Sequence, residues 1–82
     1  KMKLDLHGYR VHEAWNVFKD HITECYHNKY KHTTVVTGHG KISEEIEDWC
    51  VASPYIRHVE RMSPNTGAYK LTFWKQKSGY NK

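Results

Sequence analysis

Two short apolar stretches in this chain each run into a glycine turn and then into an amphipathic segment, and that pairing limits the folds open to it. The first is Leu4-Asp5-Leu6-His7-Gly8, where a strand pattern ends by delivering an Asp and a His to a glycine. The second is Thr33-Thr34-Val35-Val36-Thr37, followed by Gly38-His39-Gly40. A β-branched run before a glycine pair reads as a strand and its exit turn. Successive strand–helix–strand units make parallel neighbours, and their crossovers are right-handed in nearly all cases.

The segments between the turns carry helical spacing. Val11, Ala14, Trp15, Phe18, Ile22 and Cys25 recur three and four apart and predict a helix from about Val11 to Asn28. A second helix is expected from about Ser43 to Val51, with Ile42, Ile46, Trp49 and Cys50 on its buried side. Ser43 is a candidate N-cap, and Glu44, Glu45 and Glu47 suit the helix dipole. Ala52-Ser53-Pro54 ends it. Ile56 to Met62 and Ala68 to Trp74 read as strands around the turn cluster Ser63-Pro64-Asn65-Thr66-Gly67. The expected order is β-α-β-α-β-β, a four-stranded mixed sheet with both helices on one face. Lys3, Asp5, Lys70, Thr72 and Trp74 should lie on the other, open face. Residues 1–82 are expected to form one domain, with a core over 3–75 and a polar tail at 76–82.

Composition narrows the class. A chain of 82 residues buries roughly 60–65% of its unfolded surface, enough for one modest core and too little for two lobes. Thirteen basic against nine acidic side chains give +4 and a pI near 9.1, which favours polyanionic partners. Cys25 and Cys50 have neither metal-pair spacing nor disulfide-scaffold density, so they read as reduced, buried residues of a cytoplasmic domain. No apolar run has the length of a membrane span, and no signal-peptide pattern is present.

In an open α/β sheet, the loops leaving the carboxyl ends of parallel strands collect on one rim. Both glycine turns would lie there, each feeding a helix N-terminus whose free N–H groups favour an anion. Gly38 and Gly40 would let the backbone approach a phosphate closely. Asp5 and His7 are two apart on a strand and share a face. An Asp can orient such a His for acid–base work, and a positioned His contributes roughly 10²–10⁴ in rate. Plainer readings stand beside these: an Asp–His pair on a strand is also a common surface pair, and Gly-x-Gly also makes an ordinary turn. Lys41 follows Gly40, but the phosphate-loop spacing is absent, which argues against nucleoside triphosphates. His7, His12 and His39 match no helical zinc motif, and scattered surface histidines explain them more simply. Arg10, Lys31, Lys41 and Arg57 are either phosphate contacts or solubilising charges. The acidic run of the second helix would repel a polyanion along its side, leaving only its N-terminus open to one.

LDLHG at 4–8 with Glu13-Ala14 opening a helix, then TGHG at 37–40 with Ser43 after it, resembles the Smr (small MutS-related) domain, over nearly the whole chain from Lys3 to about Lys75. The resemblance implies a two-layer α/β sandwich, similar to the C-terminal domain of bacterial translation initiation factor three. It also implies nucleic-acid binding and, in several members, endonuclease or nicking activity. Asp5, His7 and Gly8 match the family's DxHG, and Thr37, Gly38, His39 and Gly40 its second motif, whose third position is often basic. Arg10 stands where many members carry an N-capping Thr, a loss of about 1 kcal/mol that Glu13 could offset by reaching back to the backbone. Only Gly67-Ala68 remains of the glycine-rich turn many members carry before the last strand.

The expected function is therefore endonucleolytic, on RNA more than DNA. His7 would act as acid or base and Asp5 would orient it. Gly8, Arg10, Thr37, Gly38, His39, Gly40 and Lys41 would bind the phosphate, with His39 or Lys41 offsetting developing charge. No cofactor is expected. The scarcity of carboxylates argues against two-metal hydrolysis, although Asp5 alone could hold one Mg²⁺. The alternative is a non-catalytic module that holds RNA, DNA or a ribosome surface through its basic open face and Trp74; a protein-interaction role for the fold is weaker still.

Overall fold

A computed structural model of the chain describes residues 3–62 and 67–75. The elements are β1 (Lys3–Asp5), α1 (Val11–His27), β2 (His32–Val36), α2 (Lys41–Ala52), β3 (Ile56–Arg61) and β4 (Ala68–Phe73). They form one four-stranded sheet in the order β1-β2-β4-β3. β1 and β2 are parallel, joined through α1. β4 lies between β2 and β3, antiparallel to both. This is the expected mixed sheet with two helices. The turn at Ser63, Pro64, Asn65 and Thr66 and the tail at 76–82 lie outside the described residues.

One apolar cluster joins the two layers. Phe18 and Ile22 of α1, Ile42, Ile46 and Trp49 of α2, and Leu6, Val35, Tyr69, Leu71 and Phe73 from the sheet side are all buried in it. Trp15, Phe18 and Trp49 hold the helices together, with ring centroids 5.2 to 6.2 Å apart. The alternation along β4 explains why the other face stays open: Lys70 is exposed and Thr72 half-buried between buried neighbours. Register places Lys3, Thr34, Lys70 and Glu60 in one row across that face, and His32, Thr72 and His58 in the next.

The start of α2 departs from the sequence reading, and the end of α1 agrees with it. α2 begins at Lys41 with Gly40 as its N-cap, not at Ser43. Ser43 sits one turn inside and donates its hydroxyl back to the Gly40 carbonyl, 2.6 Å away, so a hydroxyl taken for a cap acts as a back-bond. α1 ends at His27, with Asn28 as C-cap. Lys29 then adopts a left-handed conformation, φ 65°. Its N–H donates to the Tyr26 carbonyl and that of Tyr30 to Cys25, at 3.0 and 3.1 Å. That is the Schellman arrangement, normally built on glycine.

Candidate nucleic-acid interface

The first turn leaves β1 through Leu6, whose N–H donates to the Val36 carbonyl at 2.7 Å and prolongs the parallel ladder. The Tyr9 N–H then closes the turn on the Leu6 carbonyl at 3.2 Å, which exposes His7 at the top of the sheet. Asp5 is exposed too, and its carboxylate accepts the main-chain N–H of His7 at 2.9 Å. The expected Asp–imidazole orientation is therefore replaced by a bond to the backbone. Asp5 is two residues back on the strand, and its short side chain meets the amide before it meets the ring. It fixes the turn that carries His7.

The second turn comes from β2. Gly38 has φ +73°, which side chains rarely tolerate, and a Cβ built there would lie 3.7 Å from Cδ2 of His7. The imidazole thus packs directly against the second glycine turn. Beneath it, Thr37 is buried, and its hydroxyl lies 2.9 Å from the Gly38 carbonyl and 3.0 Å from that of Gly67. The Thr37 N–H donates to the Gly67 carbonyl at 2.7 Å. Gly67 fits only as glycine: its φ is +61°, and a Cβ would come within 2.7 Å of the Gly38 carbonyl carbon.

The two turns face one cleft of about 310 Å³. It is lined by His7, Gly8, Tyr9 and Arg10 from the first turn and by Thr37, Gly38, His39, Gly40 and Lys41 from the second, with Val11 and Ile42 behind them. Both helix N-termini open onto it: Arg10 is the N-cap of α1 and Gly40 that of α2. Arg has no acceptor for the first-turn amides. The other half of the capping box does form, the Glu13 carboxylate accepting the Arg10 N–H at 3.2 Å. A Cβ on Gly40 would meet nothing within 4 Å, so the space beside it belongs to the cleft. Two helix N-termini and the cations of Arg10 and Lys41 give this cleft a positive electrostatic character.

The structure thus brings together every sequence-predicted site residue except Asp5, which does not line the cleft, and it sets Thr37 below the turn as support. Two participants escaped the sequence reading. Tyr9 lines the cleft at 45% exposure; the signal available was an aromatic inside a glycine turn. Gly67, read from the sequence only as the remnant of a glycine-rich turn, holds the second turn from thirty residues away by accepting from Thr37, a role that its local sequence does not carry. Lys31 and Arg57 lie elsewhere, at the opposite end of the sheet. Among the described residues no three His, Cys, Asp or Glu side chains gather as a metal site.

Burial perturbs three titratable groups packed between the helices and the sheet. Burial pushes the Cys50 thiol up to about 12, with Glu47 adding to the effect. Burial also raises Cys25 and lowers His21, against a smaller opposing pull from Glu24. His21 Nε2 lies 2.8 Å from the hydroxyl of buried Thr33. Both cysteines are buried and neither forms a disulfide, as their spacing suggested.

A two-layer α/β sandwich whose two parallel strand exits open onto one cleft, lined largely by the glycine turns, defines the architecture of this small module. Residues 4–73 match the Smr domain model, and the chain belongs to the Smr domain family, a nucleic-acid-binding, nuclease-like class of module. Its fold is similar to the Smr domain of Thermus thermophilus MutS2, at 15% identity and a TM-score of 0.82, covering 90% of this chain and 99% of that one. It is also similar to the SMR domain of NEDD4-binding protein 2, at 19% identity and a TM-score of 0.70, covering 98% and 93%. At these identities the likeness is one of fold. A search of curated proteins gives no match. No helix among the described residues is long and apolar enough to cross a membrane.

Proposed function

We propose that this Smr domain holds one phosphodiester of a nucleic acid in the His7–Gly38 cleft and cleaves the strand there, with RNA favoured over DNA. The observation that carries this is the packing of the His7 ring against Gly38, which lets one phosphate touch both the imidazole and the second turn's amides. On RNA, His7 takes the proton of the 2′-hydroxyl, O2′ attacks phosphorus, and the P–O5′ bond breaks. The leaving oxygen takes a proton from His39 or solvent, giving a 2′,3′-cyclic phosphate and a 5′-hydroxyl. Lys41, Arg10 and the N-terminal amides of α2 offset charge on the pentavalent phosphorane. On DNA, water would replace the 2′-hydroxyl; Asp5, bonded to the His7 amide and outside the cleft, is not placed to bring a Mg²⁺ ion to that water. Asp5 is a positioning residue in this scheme, acting through the His7 amide.

One observation favours a second reading, a binding module without chemistry that grips RNA, DNA or a ribosome surface: the Asp5 carboxylate is committed to the main chain. The deciding experiment incubates labelled single-stranded RNA and supercoiled circular DNA with wild type and His7→Ala, with and without EDTA. Cleavage by wild type, its loss in His7→Ala with binding retained, and cyclic-phosphate ends formed in EDTA are expected. Intact substrate with normal binding by wild type would leave the binding module. Asp5→Asn, which keeps an acceptor for the amide, should retain more activity than Asp5→Ala.

A further inference from the structure

A cleft of about 750 Å³ lies away from the glycine turns, at the other end of the sheet. It sits where α1 ends, β2 begins and β4 leaves the sheet. Its apolar floor is Tyr26 and Phe73, ring centroids 6.4 Å apart, with Tyr55 stacked on Tyr26 at 4.4 Å. Tyr30 and Trp74 line it while 44% and 52% exposed. Lys29, Lys31, Arg57 and Lys75 also line it, and no carboxylate does.

The backbone around this cleft is fixed. The Phe73 N–H donates to the Lys31 carbonyl and the Trp74 N–H to the Tyr55 carbonyl, both at 2.9 Å. The main chain of Trp74 is therefore held beyond the end of β4, which fixes where its ring emerges beside the cleft. Lys29 occupies a left-handed position that glycine would fill at lower cost, so a cation is kept at this edge against a backbone preference. Exposed rings among unpaired cations, over an apolar floor, describe a surface that stacks unpaired bases and neutralises the phosphates between them.

We infer that this cleft is a second nucleic-acid contact, taking unpaired bases of the same strand whose phosphate is held at the glycine rim. The inference rests on the nucleic-acid reading of that rim. β2 spans the distance between the two sites in five residues, about 15 Å at roughly 3.3 Å per residue. The open face between them carries Lys3, Lys70 and His32 along β1, β2 and β4, with Asp5 at the β1 end and Glu60 out on the edge strand β3, so a single strand can pass over β2 and β4 from one site to the other. Two anchored points on one strand raise affinity for long oligomers above that for short ones.

The test measures affinity of the whole domain for uridine dinucleotide and for an oligouridylate and oligothymidylate of about ten nucleotides, in wild type, Trp74→Ala, Trp74→Phe and Lys31→Glu. Wild type should show a strong long-over-short advantage. Trp74→Ala should cut long-oligomer affinity roughly 5- to 150-fold, Trp74→Phe should restore much of it, and Lys31→Glu should also weaken the salt dependence. Dinucleotide affinity should stay the same in Trp74→Ala as in wild type, and a wild type that shows the long-oligomer advantage but cleaves neither oligomer would remove the chemistry at the rim while leaving this inference standing. An unchanged long-over-short ratio in both Trp74→Ala and Lys31→Glu, with each variant folded by circular dichroism, would overturn it, as would wild type binding no oligomer of either length.

Discussion

The two ends of the sheet are built from different materials. The rim where β1 and β2 exit is made of main chain: glycines, helix N-termini and a threonine that props the turn from below. The opposite end is made of side chains, with four cations around two exposed rings. The four basic residues that sequence alone left as candidate phosphate contacts divide between them, Arg10 and Lys41 at the rim and Lys31 and Arg57 at the far end. A backbone site binds one group in one geometry and fails when a turn moves. A side-chain site tolerates many sequences and loses affinity in steps, one residue at a time.

His7 gives the largest test of that contrast. His7→Ala should lower strand cleavage roughly 10²- to 10⁴-fold with the melting temperature unchanged, since His7 is exposed. A fall in activity of only a few-fold would remove the imidazole from the chemistry. Gly67→Ala comes next, and its effect should fall on the fold. A Cβ against the Gly38 carbonyl, added at a left-handed φ, should cost about 2–4 kcal/mol. In a domain this small that lowers the melting temperature by roughly 10 °C or more. An unshifted transition would show that the second turn does not depend on Gly67.

What the sequence made legible follows the same division. Element order, the buried stripes of both helices and the gathering of the two glycine turns were all readable, because each is written in a local period or a turn residue. The parallel pairing of β1 with β2 then forces Gly8 and Gly38 onto one rim. Three features were not readable. The cap of α2 lay three residues before Ser43 because Gly40 can cap without any side chain. The bond from Asp5 depends on a rotamer choice between an amide and a ring. The far cleft combines residues from α1, β2, β3 and β4, which share no motif and meet only through the β2-β4-β3 order.

Gly40→Ala asks whether the rim binds through its amides. A Cβ there meets no protein atom within 4 Å, and the backbone, at φ −100° and ψ −150°, is open to alanine. The fold should lose no more than about 1 kcal/mol, the usual price of a poorer N-cap. Affinity for short RNA should fall roughly tenfold, as a methyl crowds the phosphate. Equal affinity in a nuclease-binding titration would show that the strand stays clear of the second turn. At the far end, Lys29→Gly should act in the opposite sense on stability. Relieving the left-handed lysine should raise it by about 1 kcal/mol while weakening long-oligomer binding, a trade typical of residues kept for function.

The smallest expected effect belongs to a histidine at neither end. His21 is half-buried on α1 against Thr33, and burial lowers its pKa below the ordinary 6.5. Between the folded value and that of the unfolded chain, the unfolded state binds more protons, so stability rises with pH across this window. Its contribution is complete above about pH 6.5 and is lost as the pH falls through the depressed folded value. Thermal melts from pH 7.5 down to about pH 5 should therefore show a falling transition temperature, and His21→Gln should flatten part of that fall. Because His7 is exposed and His21 is not, the pH dependence of cleavage and that of stability should separate, and His21→Gln should move only the second. A shared shift of both curves in His21→Gln would tie the rim to the core and end the independence on which the two-ended description depends.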